Sequence, residues 1–218
     1  EKNMLGRLLG GIVVMAALAG CAAVPNPLAG AAPAKPAQAA TPAPSATPTP
    51  VVGANDPRVV TLVKQGTRPL TGPAAGTYMD TVEAALRSQF ATSGVSISRS
   101  GNEIVIDVPA DMAFATGKSS LKPESRPTLV AIGAALRHFS QTVIDVYGYT
   151  DAQGTPAAQL DLSQRRAVTI ATIMTSQGVS QERFYIEGKG AANPIASNAT
   201  PEGRAQNRRI DIQISPII

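Results

Sequence analysis

One cysteine and one histidine in 218 residues leave little room for the commonest catalytic and metal-binding chemistries. Cys21 has no intrachain partner, so no disulfide framework holds the chain. The same count excludes a zinc site built from Cys and His ligands, and no metal or other cofactor is expected. A Ser-His-Asp catalyst would have to use His138, which falls at the end of a predicted helix in Ala134-Ala135-Leu136-Arg137-His138-Phe139. A histidine there reads as a helix-end cation beside the negative pole of the dipole, not as a base. The formal charge is only +4, of which Glu1, Lys2 and Arg7 together supply +1, leaving +3 after residue 20. No Lys/Arg run occurs, so no nucleic-acid partner is expected. No internal repeat is evident. Gly188-Lys189-Gly190 lacks the third glycine of a dinucleotide fingerprint, and Pro194 disturbs a helix start there.

The N-terminus carries the first positive signal. Arg7 precedes the apolar run Leu8 to Leu18, a basic region followed by a hydrophobic one. The run is short of the roughly 20 residues a spanning helix needs. Leu18-Ala19-Gly20-Cys21 closes it and resembles a bacterial lipoprotein signal, with small residues that let a peptidase approach the backbone. That resemblance implies removal of residues 1–20 and triacylation of Cys21, by palmitate among other chains. Ala22 after the cysteine favours the outer membrane, and Met4 is a candidate start.

Residues 21–57 are read as a tether. Ala32-Pro33-Ala34-Lys35-Pro36 through Thr47-Pro48-Thr49-Pro50 is rich in Pro, Ala and Thr and nearly free of charge and aromatics, so it cannot bury enough apolar area to fold. Frequent proline favours an extended chain rising about 3.1 Å per residue, so about 30 such residues reach up to roughly 90 Å.

Roughly 140–160 residues remain, enough for one core. Residues 58–102 read as a lead-in. Val59-Val60-Thr61-Leu62-Val63 fits a short helix or a strand. Met79, Val82, Leu86 and Phe90 fall at helical spacing on a helix running toward Gly94. Val95 to Arg99 and Ile104 to Val108 alternate about the turn Ser100-Gly101-Asn102, a hairpin signal. From residue 103 to 218 the pattern continues with a loop over Met112 to Lys118 and a helix from about Pro123, with Pro127 in its first turn. A strand over Val143 to Tyr147 comes next, then a helix capped by Asp161 or Ser163 and ending at Gly178. Phe184 to Glu187 and Ile210 to Ile214 are the last strands, with a helical turn near Pro201 to Gln206. The class is α/β, a two-layer α+β sandwich. Its order is β-α-β-α-β-β in an open sheet with helices packed on it, preceded by a helix and a hairpin.

Several motifs recur in one order. They are Phe114-Ala115-Thr116 with Leu121; Gly148-Tyr149-Thr150-Asp151; Leu162-Ser163 with Arg165-Arg166-Ala167; Gly178-Val179 with Arg183; Gly188-Lys189-Gly190 with Pro194; and Asn198 through Arg209. In order and spacing they resemble the OmpA-like peptidoglycan-binding domain over residues 103–215, and 77–108 resemble the lead-in of its short outer-membrane lipoproteins. The resemblance implies a grip on the diaminopimelate of the peptidoglycan stem peptide, whose side chain ends in an ammonium and a carboxylate on one carbon. It assigns Asp151 to the ammonium and Arg166, forking bidentately, to the carboxylate. Phe114, Ala115 and Thr116 match the loop whose backbone lines the pocket, and Leu162 matches a wall residue. Thr150 can add a hydrogen bond. The simpler alternative for Asp151 and Arg166 is a surface pair with each other. Arg204, Asn207, Arg208 and Arg209 match a segment that orders the C-terminal element and the loops near the pocket. Two departures touch the contacts: Tyr149 stands where many members have His, and Ala115 where many have Asp.

The resemblance implies a non-enzymatic binder, lipid-anchored in the outer membrane through Cys21, facing the periplasm and coupling membrane to wall. The alternative is the wall-anchoring component of an envelope machine, a secretion system or a motor, with further protein partners. A wall hydrolase needs two carboxylates flanking a glycosidic bond, and Asp107, Asp111 and Asp151 form no recognisable pair.

Overall fold

The computed structural model describes residues 52–218. The expected export segment, Cys21 and the proline-rich stretch lie outside the described residues. Five strands form one sheet in the order β1-β2-β5-β3-β4. They are β1 (Ser96–Ser100), β2 (Glu103–Pro109), β3 (Thr142–Tyr149), β4 (Phe184–Gly190) and β5 (Arg209–Pro216). β5 runs antiparallel between β2 and β3, and β4 pairs parallel to β3. The helices are α1 (Pro57–Lys64), α2 (Gly72–Phe90), α3 (Ala110–Ala113), α4 (Arg126–His138), α5 (Pro156–Ser176) and α6 (Pro201–Asn207). The expected β-α-β-α-β-β order therefore holds, with two crossovers through α4 and α5.

Period-two alternation sets the faces. Across β2, β5 and β3 the register builds the rows Ile104-Ile214-Ile144, Ile106-Ile212-Val146 and Val108-Ile210-Gly148. Met79, Val82 and Leu86 from α2, Leu129 and Ile132 from α4, and Ile170 and Met174 from α5 close over these rows in one core cluster. Fully burying one such aliphatic side chain stabilises the fold by about 1.5–3 kcal/mol. Arg183 fixes the far end of this layer. Its buried guanidinium donates to the carbonyls of Leu136 (2.8 Å), Phe139 (2.8 Å) and Thr142 (2.7 Å), capping α4 and joining it to β3. Burial drags its pKa down to about 10, so it remains charged at neutral pH.

Several local expectations change. The ambiguous segment after residue 57 is helical, because Asp56 caps Arg58 N (2.8 Å) and Pro57 sits in the first turn. Val59 and Leu62 then pack with Val143 and Ile217. Val52, which falls within the expected tether, is buried in the same small cluster. The stretch after Pro109 opens with the single turn α3 before the bridge Phe114–Leu121, where a loop was expected. Neither Asp161 nor Ser163 caps α5. The helix starts two turns earlier at Pro156, with Thr155 Oγ1 accepting from Ala158 N at 3.3 Å. Its first turns carry little apolar periodicity, and Leu160 is exposed, so the hydrophobic pattern began too late to mark the true start.

The sheet face away from α4 and α5 is polar. Arg58 of α1 reaches Asp145 at 2.5 Å, and Arg209 stacks on Tyr149 at 3.9 Å with its Nε 3.1 Å from Asp211. Asp107 lies directly across from Asp211 in the register. Burial, reinforced by the Asp211 carboxylate and only partly offset by Arg209, pushes Asp107 up to about 7 from an ordinary 3.8. An acid with a raised folded pKa holds its proton between about pH 4 and 7 while the unfolded chain has released it. Its contribution is thus lost as pH rises through that window. Asp107→Asn is expected to raise Tm at pH 8 and to leave it near the parental value at pH 4. Thermal denaturation at both pH values checks this, and an equal shift at the two would contradict the assignment.

Candidate functional site

β3 ends at Tyr149, and the next two residues, Thr150 and Asp151, stand at the carboxyl edge of the sheet. Ligand crevices form at such edges, where strands give way to loops. From α5, Gln159, Leu162 and Arg166 point to the same place, since spacings of three and four share a helix face. Arg208 arrives just before β5, Asp111 from α3, and Thr116 with Gly117 from the following loop. Together they wall a cavity of about 570 Å³.

The polar groups in this cavity divide into satisfied and unsatisfied. Asp151 Oδ1 accepts from Gln153 N at 3.0 Å, which fixes the carboxylate by a local turn. Its Oδ2 accepts from Arg208 Nη1 at 2.6 Å. Arg208 also forks onto Asp111, with Nε at 2.9 Å and Nη2 at 2.5 Å. This pairing holds the Asp111 carboxyl below its usual range and lifts the Arg208 guanidinium further above its own. Arg166 is differently placed. It is 2 % exposed, donates Nε to Lys118 O at 2.9 Å and lies over the Phe114 ring at 5.2 Å. Burial lowers its pKa, with Asp111 and Asp151 opposing and Arg208 assisting. Arg166 Nη1 and Thr150 Oγ1 are both buried, and neither has a hydrogen-bond partner among the described residues. An orphaned buried polar group costs about 1–3 kcal/mol, so two on residues that line one cavity make it the candidate site.

Asp151, Arg166, Thr116, Thr150 and Leu162 are thus brought together around one cavity. Phe114 and Ala115 do not line it. The bridge to Leu121 turns Phe114 inward, where it supports Arg166 from below. Ala115 is engaged through its backbone, donating to Ser120 O and accepting from Lys118 N. Asp151 and Arg166 do not pair with each other, because Asp151's ion-pair partner is Arg208. Arg208 is therefore a site residue, not only a structural one. Asn207 does order the neighbouring loop, accepting from the N–H groups of Ile195 and Ala196 at 2.9 Å. Gln159 escaped the sequence reading because the helix start was placed too late. Its spacing from Leu162 and Arg166 would have revealed it. Tyr149, one of the two departures, is buried beneath Arg209, away from the cavity lining.

A family model described as the OmpA family matches residues 113–208. The chain is 42% identical over 146 residues to the probable lipoprotein YiaD of Escherichia coli (strain K12), covering 67% of each chain. It is 36% identical over 104 residues to the peptidoglycan-binding protein ArfA of Mycobacterium tuberculosis (strain ATCC 25618 / H37Rv). That match covers 48% of this chain and 32% of the relative. Among solved structures, the cell wall anchor of the T6SS from Pseudomonas aeruginosa superposes with a TM-score of 0.56 at 29% identity. The superposition covers 62% of this chain and 96% of that one.

Proposed function

The chain belongs to the OmpA family, and from that premise we propose that its cavity holds peptidoglycan, by the diaminopimelate of the stem peptide. One observation carries the reading: Asp151, with its carboxylate fixed, and Arg166, a buried guanidinium with a donor that has no partner among the described residues, line one cavity. A side chain ending in an ammonium and a carboxylate on the same carbon fits that pair. Thr150, also in the lining, offers a further hydroxyl that has no partner among the described residues. That ArfA is a peptidoglycan-binding protein and the T6SS structure a cell wall anchor supports this reading. We read the chain as a binder without catalytic chemistry, held in the outer membrane by lipid on Cys21 and coupling that membrane to the wall. The likeness to the T6SS anchor favours a second reading, the same grip serving as the wall contact of an envelope machine.

Sedimentation with purified, diaminopimelate-containing sacculi tests the grip. The full chain in mild detergent is expected to pellet with sacculi, and Asp151→Ala to stay in the supernatant. Equal pelleting of both would place wall binding elsewhere on the molecule.

A further inference from the structure

Arg208 is shared unequally between two carboxylates. Two of its donors, Nε and Nη2, engage Asp111, and one, Nη1, engages Asp151. The bidentate half is the more exposed one, since Asp111 is 52% exposed and Asp151 9% at their side chains. Arg208 therefore occupies the Asp151 oxygen that an incoming ammonium needs, while being tied more firmly to a carboxylate at the rim. We infer that Asp111 and Arg208 form a counter-ion latch, with Asp111 the positioning residue that draws Arg208 off Asp151 when a cationic ligand group arrives. The inference rests on the wall-binding reading of the same cavity.

The exchange is local and balanced in charge. The cavity is lined by two carboxylates, two guanidiniums and the Lys122 ammonium, and a ligand group that carries one charge of each sign leaves their sum unchanged. Entry of a group bearing one ammonium and one carboxylate breaks a single hydrogen bond, Arg208 Nη1 to Asp151 Oδ2. The ammonium takes that oxygen, the ligand carboxylate meets Arg166, and Arg208 keeps its fork on Asp111. A planar fork onto a carboxylate is the stronger half of such a shared arrangement, so little is lost when the single bond opens. Without Asp111 the guanidinium has only Asp151 to pair with. It then swings fully onto that carboxylate and competes with the ligand. Asp111 thus strengthens binding without touching the ligand.

Calorimetry with meso-diaminopimelic acid on the full chain tests this with four variants: Asp111→Asn, Asp111→Glu, Arg208→Gln and the Asp111→Asn/Arg208→Gln double variant. Asp111→Asn is expected to weaken binding on the order of five- to tenfold, and Asp111→Glu to restore most of it. The decisive comparison is made in the Arg208→Gln background, where Asp111→Asn should change affinity by less than about twofold. Carboxyl titration by NMR checks separately that the two side chains pair in solution. Arg208→Gln should return Asp111 upward to the ordinary aspartate range, because Arg208 is what holds it down. Equal weakening by Asp111→Asn with and without Arg208 would overturn the latch, as would no weakening at all in a parent that binds. Failure of the parent itself to bind would remove the wall-binding reading and the latch with it.

Discussion

Arg166→Ala is expected to weaken capture of diaminopimelate-containing wall by roughly 10- to 150-fold, the equivalent of about 1.5–3 kcal/mol for a charge-assisted bond in a partly dry site. The geometry supports a value toward the upper end. Arg166 is 2 % exposed, so water is already largely excluded from it. Nε is held by Lys118 O and the plane rests on Phe114, which fixes the direction of the fork before any ligand arrives. The entropy of placing a long side chain is thereby met in folding, and Nη1 has no competing partner among the described residues. Arg166→Lys separates charge from shape. An ammonium keeps the positive charge but has no planar fork and cannot hold Lys118 O while also reaching a carboxylate in the same plane. Lysine is therefore expected to recover only a small part of the loss. Sedimentation isotherms on sacculi, with circular dichroism to confirm folding of each variant, check both values. Parental affinity for Arg166→Lys would mean that a point charge suffices, and the bidentate reading would fall.

The sheet was legible in the sequence because its core face alternates strictly. Ile104-Ile106-Val108 and Ile210-Ile212-Ile214 announce strands whatever their neighbours do. The two charges of the candidate site are legible for another reason: Asp151 and Arg166 stand inside motifs whose order resembles a known domain. What escaped depends on three-dimensional partners. Arg208, not Arg166, is the companion of Asp151 because the head of β5 brings it to that carboxylate, a placement no spacing along the chain encodes. Phe114 was expected in a pocket-lining loop, and it is the cross-bridge to Leu121 that turns it beneath Arg166. The start of α5 escaped because Thr155-Pro156 is a capping signal without a hydrophobic stripe behind it. Misplacing that start concealed Gln159 as a cavity residue.

Gly148→Ala is expected to lower Tm by roughly 6–12 °C, corresponding to about 3 kcal/mol, the upper end of ordinary overpacking. A Cβ at Gly148 would lie 2.2 Å from Ser163 O and 2.9 Å from Ser163 C, both backbone atoms that no rotamer change can move. Gly188 on the neighbouring strand is equally close to the same turn of α5, with its Cβ position 2.3 Å from Gln164 N. Bare backbone at both positions lets α5 settle directly on β3 and β4. There Gln164 Oε1 accepts from Gly188 N at 2.6 Å and Ser163 Oγ accepts from Gly190 N at 2.9 Å. These bonds also occupy two N–H groups of the edge strand that another chain could otherwise pair with. A methyl group at 148 must lift α5, breaking these contacts and carrying Leu162 and Arg166 away from Asp151. Binding should therefore fall in Gly148→Ala even well below its Tm, where the chain is still folded. Gly76→Ala provides the opposite sign. It lies on α2, its Cβ would meet only Asn102 Oδ1 at 3.9 Å, and alanine in a helix gains about 0.5–1 kcal/mol over glycine. Thermal melts and sacculus binding of the two variants, run together, separate the close approach from a general sensitivity of the fold. A parental Tm for Gly148→Ala would show that α5 does not rest on the strand at that point, and the placement of Arg166 would lose its physical basis.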